Sequence, residues 1–476
     1  MDIHKIVSKK LGRRMKKLFI SFISAILLTC FVFLASSNAG TVELPQTGQT
    51  TCYDTAGTEI DCAGTGQDGE IQAGVAWPNP RYQITYCNSS GPCADQTADC
   101  DNSQITDIVT DNLTGLIRPR YQLIITGIGS LSWDSAINAA NNLTVCGYTD
   151  LVIPNINELE SIVDADALAT GFSAGGYWSS TMHAKKATQH AWVVNGATGQ
   201  VGRYTRIGST MKALPVRQAR AAAPAEVWKT GQTISYLAGD DGDMESGVAW
   251  PVPRFIYNGN GVVTDNLTGL VWLKDANCMK TNYPGYDNDA TAGDGNVTWQ
   301  HALDFIKDIN NGLYPFCDGG YRNWRLPNRK EIRSLIDYSS GSWDSIQSGH
   351  PFVNASFNTY WTSTTAGNRN MAFVIDMTDG YLYTYNETTG ANSTKDKSYA
   401  VWPVRAGQVG TLGLLGDINK DEIIDISDVI LELRMALKLD PIQPCSDINN
   451  DGVVDISDVI LTLRMALKLD PLQQCV

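Results

Sequence analysis

The residues best suited to chemistry are two sets of acidic and amide side chains near the end of the chain. Each set lies in a twelve-residue loop and places oxygen donors at loop positions 1, 3, 5, 7, 9 and 12. A hard cation such as Ca²⁺ takes six to eight oxygen ligands, and a loop of this length supplies them from those positions. The pattern predicts two bound calcium ions, with these ligands: Asp417, Asn419, Asp421, the Ile423 carbonyl, Asp425 and Asp428 in the first loop, and Asp447, Asn449, Asp451, the Val453 carbonyl, Asp455 and Asp458 in the second.

A predicted helix follows each loop and begins where the loop ends. Residues 425–441 recur as residues 455–471 with one change, Glu432 to Thr462. Apolar residues at helical spacing indicate one helix in each copy, and a proline ends it. A pair of such helices has a small core, so we expect calcium to stabilise the tail.

The tail resembles a type I dockerin from residue 416 to residue 476. Asp at loop position 12, where the EF-hand signature has Glu, and a helix only after the loop both match that family. The resemblance implies docking on a cohesin domain, in either of two orientations because the two copies are nearly identical. It places partner selection at loop positions 10 and 11, which are Ile426, Ser427, Ile456 and Ser457. The alternative is that calcium only stabilises a terminal domain.

The N-terminal residues 1–39 are typical of a secretory signal peptide. Basic residues precede the apolar run 18–34, and small residues precede Gly40. An uncleaved anchor is the alternative, although seventeen residues are short for a membrane span. Cleavage removes seven basic residues and one acidic residue, which leaves 29 basic and 49 acidic side chains and a net charge of −20. That charge argues against nucleic-acid partners, and the leader predicts an extracellular or cell-surface location.

The ten cysteines that follow the leader predict disulfides, which persist outside the cytoplasm. Proximity in sequence favours Cys52 with Cys62 and Cys278 with Cys317. A second group is expected to form two more bonds, with the pairing left open: Cys87, Cys93, Cys100 and Cys146.

A longer and more diverged repeat fills the middle of the chain. Thr110–Leu116 returns unchanged as Thr264–Leu270, and four further motifs return in the same order. The repeat predicts two homologous domains of about 180 residues, each large enough for its own core. The predicted organisation is a signal peptide at 1–39, a first domain at 40–217, a linker at 218–226, a second domain at 227–405, a linker at 406–415 and the tail at 416–476.

The motifs of both domains resemble the Lcl C-terminal domain family, also known as domain of unknown function 1566. They are complete in the second domain, where Trp324–Asn328 is followed by Tyr360–Thr364 and Pro403–Arg405, and degraded in the first. Alternating strands among Gly, Asn and Thr turns predict an α+β fold with antiparallel sheets. The motif order is similar to C-type-lectin-like folds. The tail adds a small all-α unit.

The candidates for ligand binding in the second domain are Trp272, Trp324 and Arg325. The first domain lacks both tryptophans, whose ring faces could stack on sugars. The favoured interpretation is a secreted, non-catalytic protein that binds an extracellular glycan or protein. The alternative is a component of a polysaccharide-degrading complex, with paired carboxylates such as Glu331 and Asp337 performing glycoside hydrolysis.

Overall fold

The computed structural model describes residues 42–88, 91–93, 107–120, 130–162, 174–186, 189–217, 223–287, 291–341, 344–356, 358–384, 390, 392–406, 415–418, 424–440, 446–449, 453–467 and 469–470. These residues form a mixed α+β structure, as predicted. The helices are α1 (Asp68–Ile71), α2 (Trp133–Asn141), α3 (Ile156–Ser161), α4 (Asp241–Met244), α5 (Cys278–Asn282), α6 (Trp299–Asn310), α7 (Arg329–Ser334), α8 (Ile426–Ala436) and α9 (Ile456–Ala466). Within these ranges no helix is long and apolar enough to cross a membrane. The predicted signal peptide lies outside the described residues.

The strands are short and almost all antiparallel. Those of the first repeat are β1 (Cys52–Tyr53), β2 (Glu59–Ile60), β3 (Tyr82–Thr85), β4 (Cys87–Asn88), β5 (Gly91–Pro92), β6 (Ile108–Asp111), β7 (Ile117–Pro119), β8 (Gly176–Met182), β9 (His190–Asn195) and β10 (Val201–Thr205). Those of the second repeat are β11 (Phe255–Tyr257), β12 (Val262–Asp265), β13 (Val271–Leu273), β14 (Asn296–Val297), β15 (Thr359–Thr365), β16 (Ala372–Asp376), β17 (Tyr381–Tyr383), β18 (Tyr399–Ala400) and β19 (Val404–Arg405).

The two repeats share one eight-stranded sheet, in the order β14-β18-β15-β16-β17-β10-β9-β8. Strand β10 of the first repeat pairs antiparallel with β17 of the second through Val201 and Leu382. These two residues occupy the same position in their repeats, and both are buried. The join therefore lies on a local two-fold axis that relates the repeats.

The N-terminal segment of each repeat also packs against the other repeat. We call residues 42–75 arm 1 and residues 225–248 arm 2. The side-chain amide of Gln49 in arm 1 donates to the Thr365 carbonyl at 3.0 Å and accepts from its N–H at 2.9 Å. Gln232 in arm 2 makes the same pair of bonds with Met182, at 2.7 Å and 2.9 Å. Each arm thus extends the hydrogen bonding of the partner repeat's strand.

A buried carboxylate anchors each arm. Asp68 accepts hydrogen bonds from Thr47 of its own arm at 2.8 Å and from Thr364 of the second repeat at 2.6 Å. Asp241 accepts equivalent bonds at 2.7 Å from the hydroxyls of Thr230 and Thr181. The same three-residue contact therefore occurs twice, once on each side of the two-fold axis.

The first repeat has hydrophobic clusters of its own, around Trp133 and around Cys87, and it also shares a larger core with the second repeat. One hydrophobic cluster contains Val201 and Trp192 of the first repeat together with most buried side chains of the second. Ala225, within the predicted linker, is also buried and donates its N–H to the Leu113 carbonyl at 2.9 Å. The sequence repeat marks duplicated units, and part of their cores is shared because the sheet and the arms cross between them.

Helices α3 and α7 meet between the repeats with opposite charges. Glu160 of α3 accepts from Arg333 of α7 at 3.0 Å and from Arg329 at 3.4 Å. Glu160 and Arg333 occupy the same position in their repeats. A symmetric pair of identical units would place like charges there, so the two repeats have become complementary to each other.

The longest helix of the body, α6, is amphipathic. Trp299, Phe305 and Ile309 are among its buried apolar residues, while His301 and Lys307 are exposed. Its first residue is fixed by a hydrogen bond from the Trp299 indole to the Thr362 carbonyl at 2.8 Å. This spacing buries one stripe of the helix against β15.

Three disulfides are present among the described residues. Cys52–Cys62 and Cys278–Cys317 confirm the two predicted pairs. Cys87–Cys146 resolves part of the pairing that the sequence left open. Cys100, Cys445 and Cys475 lie outside the described residues.

Candidate functional site

The two calcium loops lead into helices α8 and α9, whose starts are alike. Asp425 and Asp428 form a capping box at α8, and Asp455 and Asp458 form the same box at α9. Asp428 accepts the N–H of Ile418 at 2.8 Å and that of Asp425 at 3.0 Å. Each carboxylate at loop position 12 is fully buried and is oriented by N–H groups from both ends of its loop.

The chemistry of this donor set fits a hard cation, because every predicted ligand is oxygen. Asn419, Asp421, Ile423 and Asp451 lie outside the described residues. Among the residues that are described, no three Asp, Glu, His or Cys side chains are gathered as metal ligands. Calcium binding therefore stays a prediction, with Asp417, Asp425 and Asp428 placed around the first loop and Asp447, Asn449, Val453, Asp455 and Asp458 around the second.

The predicted partner-binding residues lie at the exposed starts of the two helices. Ile426 is 61% exposed and Ile456 is 59% exposed. Ser427 and Ser457 are half-buried, and their N–H groups donate to the capping carboxylates of Asp425 and Asp455 at 2.7 Å and 2.8 Å. The copies thus present matching surfaces.

The seam between the tail helices differs from the predicted one. The apolar positions at helical spacing in the first copy include Val429, which is buried, and Ile430 and Leu437, which are 54% and 61% exposed. Met435 is also buried and packs against the loop residues Ile418 and Val454. The helices pack onto the loops, which leaves an apolar stripe on each helix open to solvent.

The three ligand candidates of the second repeat do not form an exposed surface. Trp272 is fully buried, with its ring centroid 5.2 Å from that of Trp402. Trp324 is 2% exposed and donates its indole N–H to the Asp318 carbonyl at 2.8 Å. Arg325 is paired with both carboxylate oxygens of Glu331. These side chains are held in the fold, so a ligand has no ring face or free guanidinium to contact there.

The repeated Pro-Asn-x-x-Glu motif is explained by helix capping. Asn328 caps α7, and Glu331 bonds back to the Asn328 N–H at 2.8 Å. Asn155 and Glu158 form the same capping box at α3. Asp337 accepts from the N–H and hydroxyl of Ser339 at 2.8 Å and 2.6 Å. The acids proposed for hydrolysis therefore have structural partners.

A cavity lies along the join between the repeats. This groove, of about 490 Å³, crosses β9, β10 and β17 and is built from both repeats. The side chains that carry its chemistry are His190, Asn195, Gln200, Arg203, Tyr204, Tyr381 and Tyr383. Aromatic faces, amides and one guanidinium are typical of a site that binds a polar organic ligand.

Hydrogen bonds across the join hold the groove in shape. The Gln200 amide donates to the Thr384 hydroxyl at 3.1 Å. On the other side of the axis, the Arg203 guanidinium lies 5.2 Å from the Tyr381 ring centroid. Arg203 also contacts the buried His183 imidazole at 3.2 Å. Burial and the Arg203 charge lower the pKa of His183 to about 3, so His183 stays neutral.

Tyr381 has the one tyrosine hydroxyl that is buried without a hydrogen-bond partner in the described part of the chain. Burial raises the pKa of this phenol, so the hydroxyl remains protonated and can donate. A buried polar group without a partner is costly, and this hydroxyl oxygen is closed to solvent in the structure.

Comparison with protein families also finds two repeated units in the chain. A family model described as the Lcl C-terminal domain matches residues 107–217 and 261–405, which together make up just over half of the chain. The chain belongs to the Lcl C-terminal domain family. No curated protein matches it.

The two Lcl C-terminal domain matches contain every residue that lines the groove. Both arms and the tail lie outside the matched ranges. The groove is therefore built from family strands, while the arms that brace those strands are additional segments.

Sequence reasoning missed the groove residues because each repeat contributes only one side of it. The signal that was present is the pair of Tyr residues in Tyr381–Tyr383, which alternate along a predicted strand. Nothing in the sequence indicates that β17 pairs with a strand of the other repeat.

Proposed function

We propose that this protein is exported and binds an extracellular glycan in the groove between its two Lcl C-terminal domain units, while its tail docks on a partner protein in a calcium-dependent manner. The observation that carries the proposal is the groove itself. It combines tyrosine rings, side-chain amides and a guanidinium. Sugar rings stack on aromatic faces, and their hydroxyl groups pair with amides and guanidinium groups.

Binding is favoured over hydrolysis by the residues at the groove. Glycoside hydrolysis uses two carboxyl groups on either side of the bond that is cleaved. None of the side chains lining this groove is acidic. The proposed role is therefore attachment to a glycan, with no chemical step.

The tail supports docking through its duplicated apolar stripe. Ile426, Ile430 and Leu437 of α8 and Ile456, Ile460 and Leu467 of α9 are all between 52% and 61% exposed. Exposed apolar patches of this kind mark protein contact sites. The resemblance to dockerins makes a cohesin-like domain the expected partner, with two calcium ions holding the loops that start the helices.

The groove is tested by screening the protein on a broad array of extracellular glycans and titrating the best ligand by calorimetry. Tyr204→Phe removes one hydroxyl from the tyrosines that line the groove, so affinity should fall about threefold to tenfold. Tyr257→Phe is the matched control, because Tyr257 lies on β11, away from the groove. Failure to bind any glycan, or an unchanged affinity for Tyr204→Phe, would contradict the proposal. Release of reducing sugar from a polysaccharide would favour the enzymatic alternative.

The tail is tested by calcium titration of residues 414–476 and by capture of cohesin domains with and without a chelator. Replacing both Asp447 and Asp451 by Ala should abolish the second calcium site and lower the unfolding temperature of the tail in calcium. If the tail unfolds at the same temperature in chelator and in calcium, the calcium proposal fails. Tight calcium binding without cohesin capture would leave a stabilised tail and remove the docking role.

A further inference from the structure

A second cavity lies on the second repeat, away from the strands that line the groove. It is open to solvent, has a volume of about 640 Å³ and is lined by six side chains and Gly285. Three of the side chains are tyrosines that follow helices α5 and α6. We call this group the tyrosine cage: Tyr283, Tyr286, Tyr314, His301, Asp304 and Asp308.

The tyrosine rings stand at steep angles to one another and form walls. The Tyr283 and Tyr314 centroids are 4.7 Å apart with the rings at 62°. Tyr286 and Tyr314 are 5.5 Å apart with the rings at 84°. A sugar stacks best on one flat, open ring face, whereas a compact cation contacts several ring faces at once. The angles favour the compact cation.

Hydrogen bonds fix two of these walls. The Tyr286 hydroxyl donates to the His301 carbonyl at 3.1 Å. The Tyr283 hydroxyl accepts the N–H of Phe316 at 3.0 Å. The Cys278–Cys317 disulfide joins the two segments that carry Tyr283 and Phe316. The cage is therefore preformed, which lowers the entropic cost of binding.

The charge in the cage is negative. Asp304 accepts from Gln300 at 3.1 Å, and the partly buried Asp308 carboxylate accepts no hydrogen bond from any residue that the structure describes. Burial and the charges of Asp304 and Asp308 raise the pKa of Tyr286. Burial and Asp308 do the same for Tyr314. No Lys or Arg lines the cavity.

The acids of the cage have no counterparts in the sequence of the first repeat. Trp133 in helix α2 corresponds to Trp299 in α6, since each donates its indole N–H to the central strand of its repeat at 2.8 Å. In that register Asn138 and Asn142 stand where Asp304 and Asp308 do, and Ala139 replaces Phe305. Both acids and an aromatic support are found in the second repeat alone.

We propose that the tyrosine cage binds a quaternary ammonium group, such as the trimethylammonium end of choline. The ring faces of Tyr283, Tyr286 and Tyr314 surround the methyl groups, and Asp304 and Asp308 supply the opposite charge. Aromatic faces attract such cations through their quadrupoles, and nearby carboxylates strengthen the attraction. This site is additional to the groove and does not depend on glycan binding there.

The test is a calorimetric titration of the protein with choline and with 3,3-dimethyl-1-butanol, its uncharged isostere. Choline should bind at one site, and the isostere should bind about tenfold more weakly or not at all. Asp304→Asn combined with Asp308→Asn should weaken choline binding by at least about tenfold while keeping the side-chain shapes. Glu43→Gln makes a single neutralisation of the same kind at an exposed site elsewhere and should leave the affinity unchanged.

Absence of choline binding, equal affinity for the isostere, or an unchanged affinity in the double Asn variant would each overturn the proposal. Sedimentation with phosphatidylcholine vesicles distinguishes the sources of the ligand. Co-sedimentation that choline reverses would indicate a choline head group on a surface, whereas binding of choline alone would indicate a small molecule. Glycan binding in the groove should persist in the double Asn variant, so the two proposals fail separately.

Discussion

Asp68 and Asp241 show how a single residue can carry the contact between two repeats. Both carboxyl groups are buried, and each accepts threonine hydroxyls from its arm and from the opposite repeat. Burial raises the pKa of each to about 6, although the threonine hydrogen bonds act in the opposite direction. One oxygen of each carboxyl group has no hydrogen-bond partner among the described residues. Each carboxyl group therefore takes up its proton at a higher pH than a free aspartate does.

This pKa shift predicts a pH dependence of stability. A carboxyl group with a folded pKa near 6 and an unfolded pKa of 3.8 binds its proton more tightly in the folded state. The free energy of unfolding should therefore fall as the pH rises from about 4 to about 6, by on the order of 3 kcal/mol for each group. Asp241→Asn should remove its share of that slope. Denaturant unfolding across this pH range measures it, and an identical slope in the variant would contradict the assignment.

At the same scale, the sequence predicted the residues with local roles more successfully than those with distant partners. Cys52–Cys62 and Cys278–Cys317 are close along the chain, and both pairs are confirmed. Trp272 and Trp324 were proposed as ligand contacts because the first repeat lacks them, yet both are buried. A residue type indicates what a side chain can do, whereas burial depends on segments that the local pattern does not contain.

At the scale of elements, the exchanged arms mean that each structural unit contains a segment from the other sequence repeat. The division into repeats at 40–217 and 227–405 follows sequence order, whereas the arms form hydrogen bonds across the axis through Gln49 and Gln232. Both arms contain the same Thr-Gly-Gln-Thr string, at 47–50 and 230–233. The repetition was readable, but identical strings give no indication of which of two similar sheets each one joins.

The exchange predicts which fragments fold. Residues 107–217 alone should be largely unfolded, because they lack arm 2 and expose the bonding groups of Met182. Adding a peptide of residues 223–250 should restore ordered structure, measured by circular dichroism and amide exchange. The peptide with Gln232→Ala and Asp241→Ala is the matched control and should restore much less. Rescue by a peptide of residues 42–75 to the same extent would show that the arms are interchangeable.

At the scale of the whole molecule, the body is one folding unit with a local two-fold axis. The Val201–Leu382 pair, the shared core and the Glu160–Arg333 ion pair all lie between the repeats. The sequence predicted the α+β class and the duplication, because both follow from local periodicity and repeated motifs. It could not predict the continuous sheet. The pairing of β10 with β17 depends on how the edges of the two sheets meet in the folded protein, and local sequence patterns do not contain that information.

A core that is shared between the repeats predicts a single unfolding transition. Residues 40–406 should unfold in one cooperative step in calorimetry, with calorimetric and van't Hoff enthalpies in agreement. Glu160→Gln, which leaves Arg333 buried without its full charge partner, should lower the temperature of that step without splitting it. Two resolved transitions in the wild type would indicate that the repeats unfold independently.

The exchanged arms also impose an order on the making of the molecule. Gln232 follows its partner Met182 by 50 residues, so arm 2 has a place to bind as soon as it is synthesised. Gln49 precedes its partner Thr365 by 316 residues. At a synthesis rate of about 5–20 residues per second, arm 1 waits roughly a quarter of a minute to a minute for its strand. The first segment of the body to be made is thus among the last to be placed, and a chain that stops early is left with that segment unbound.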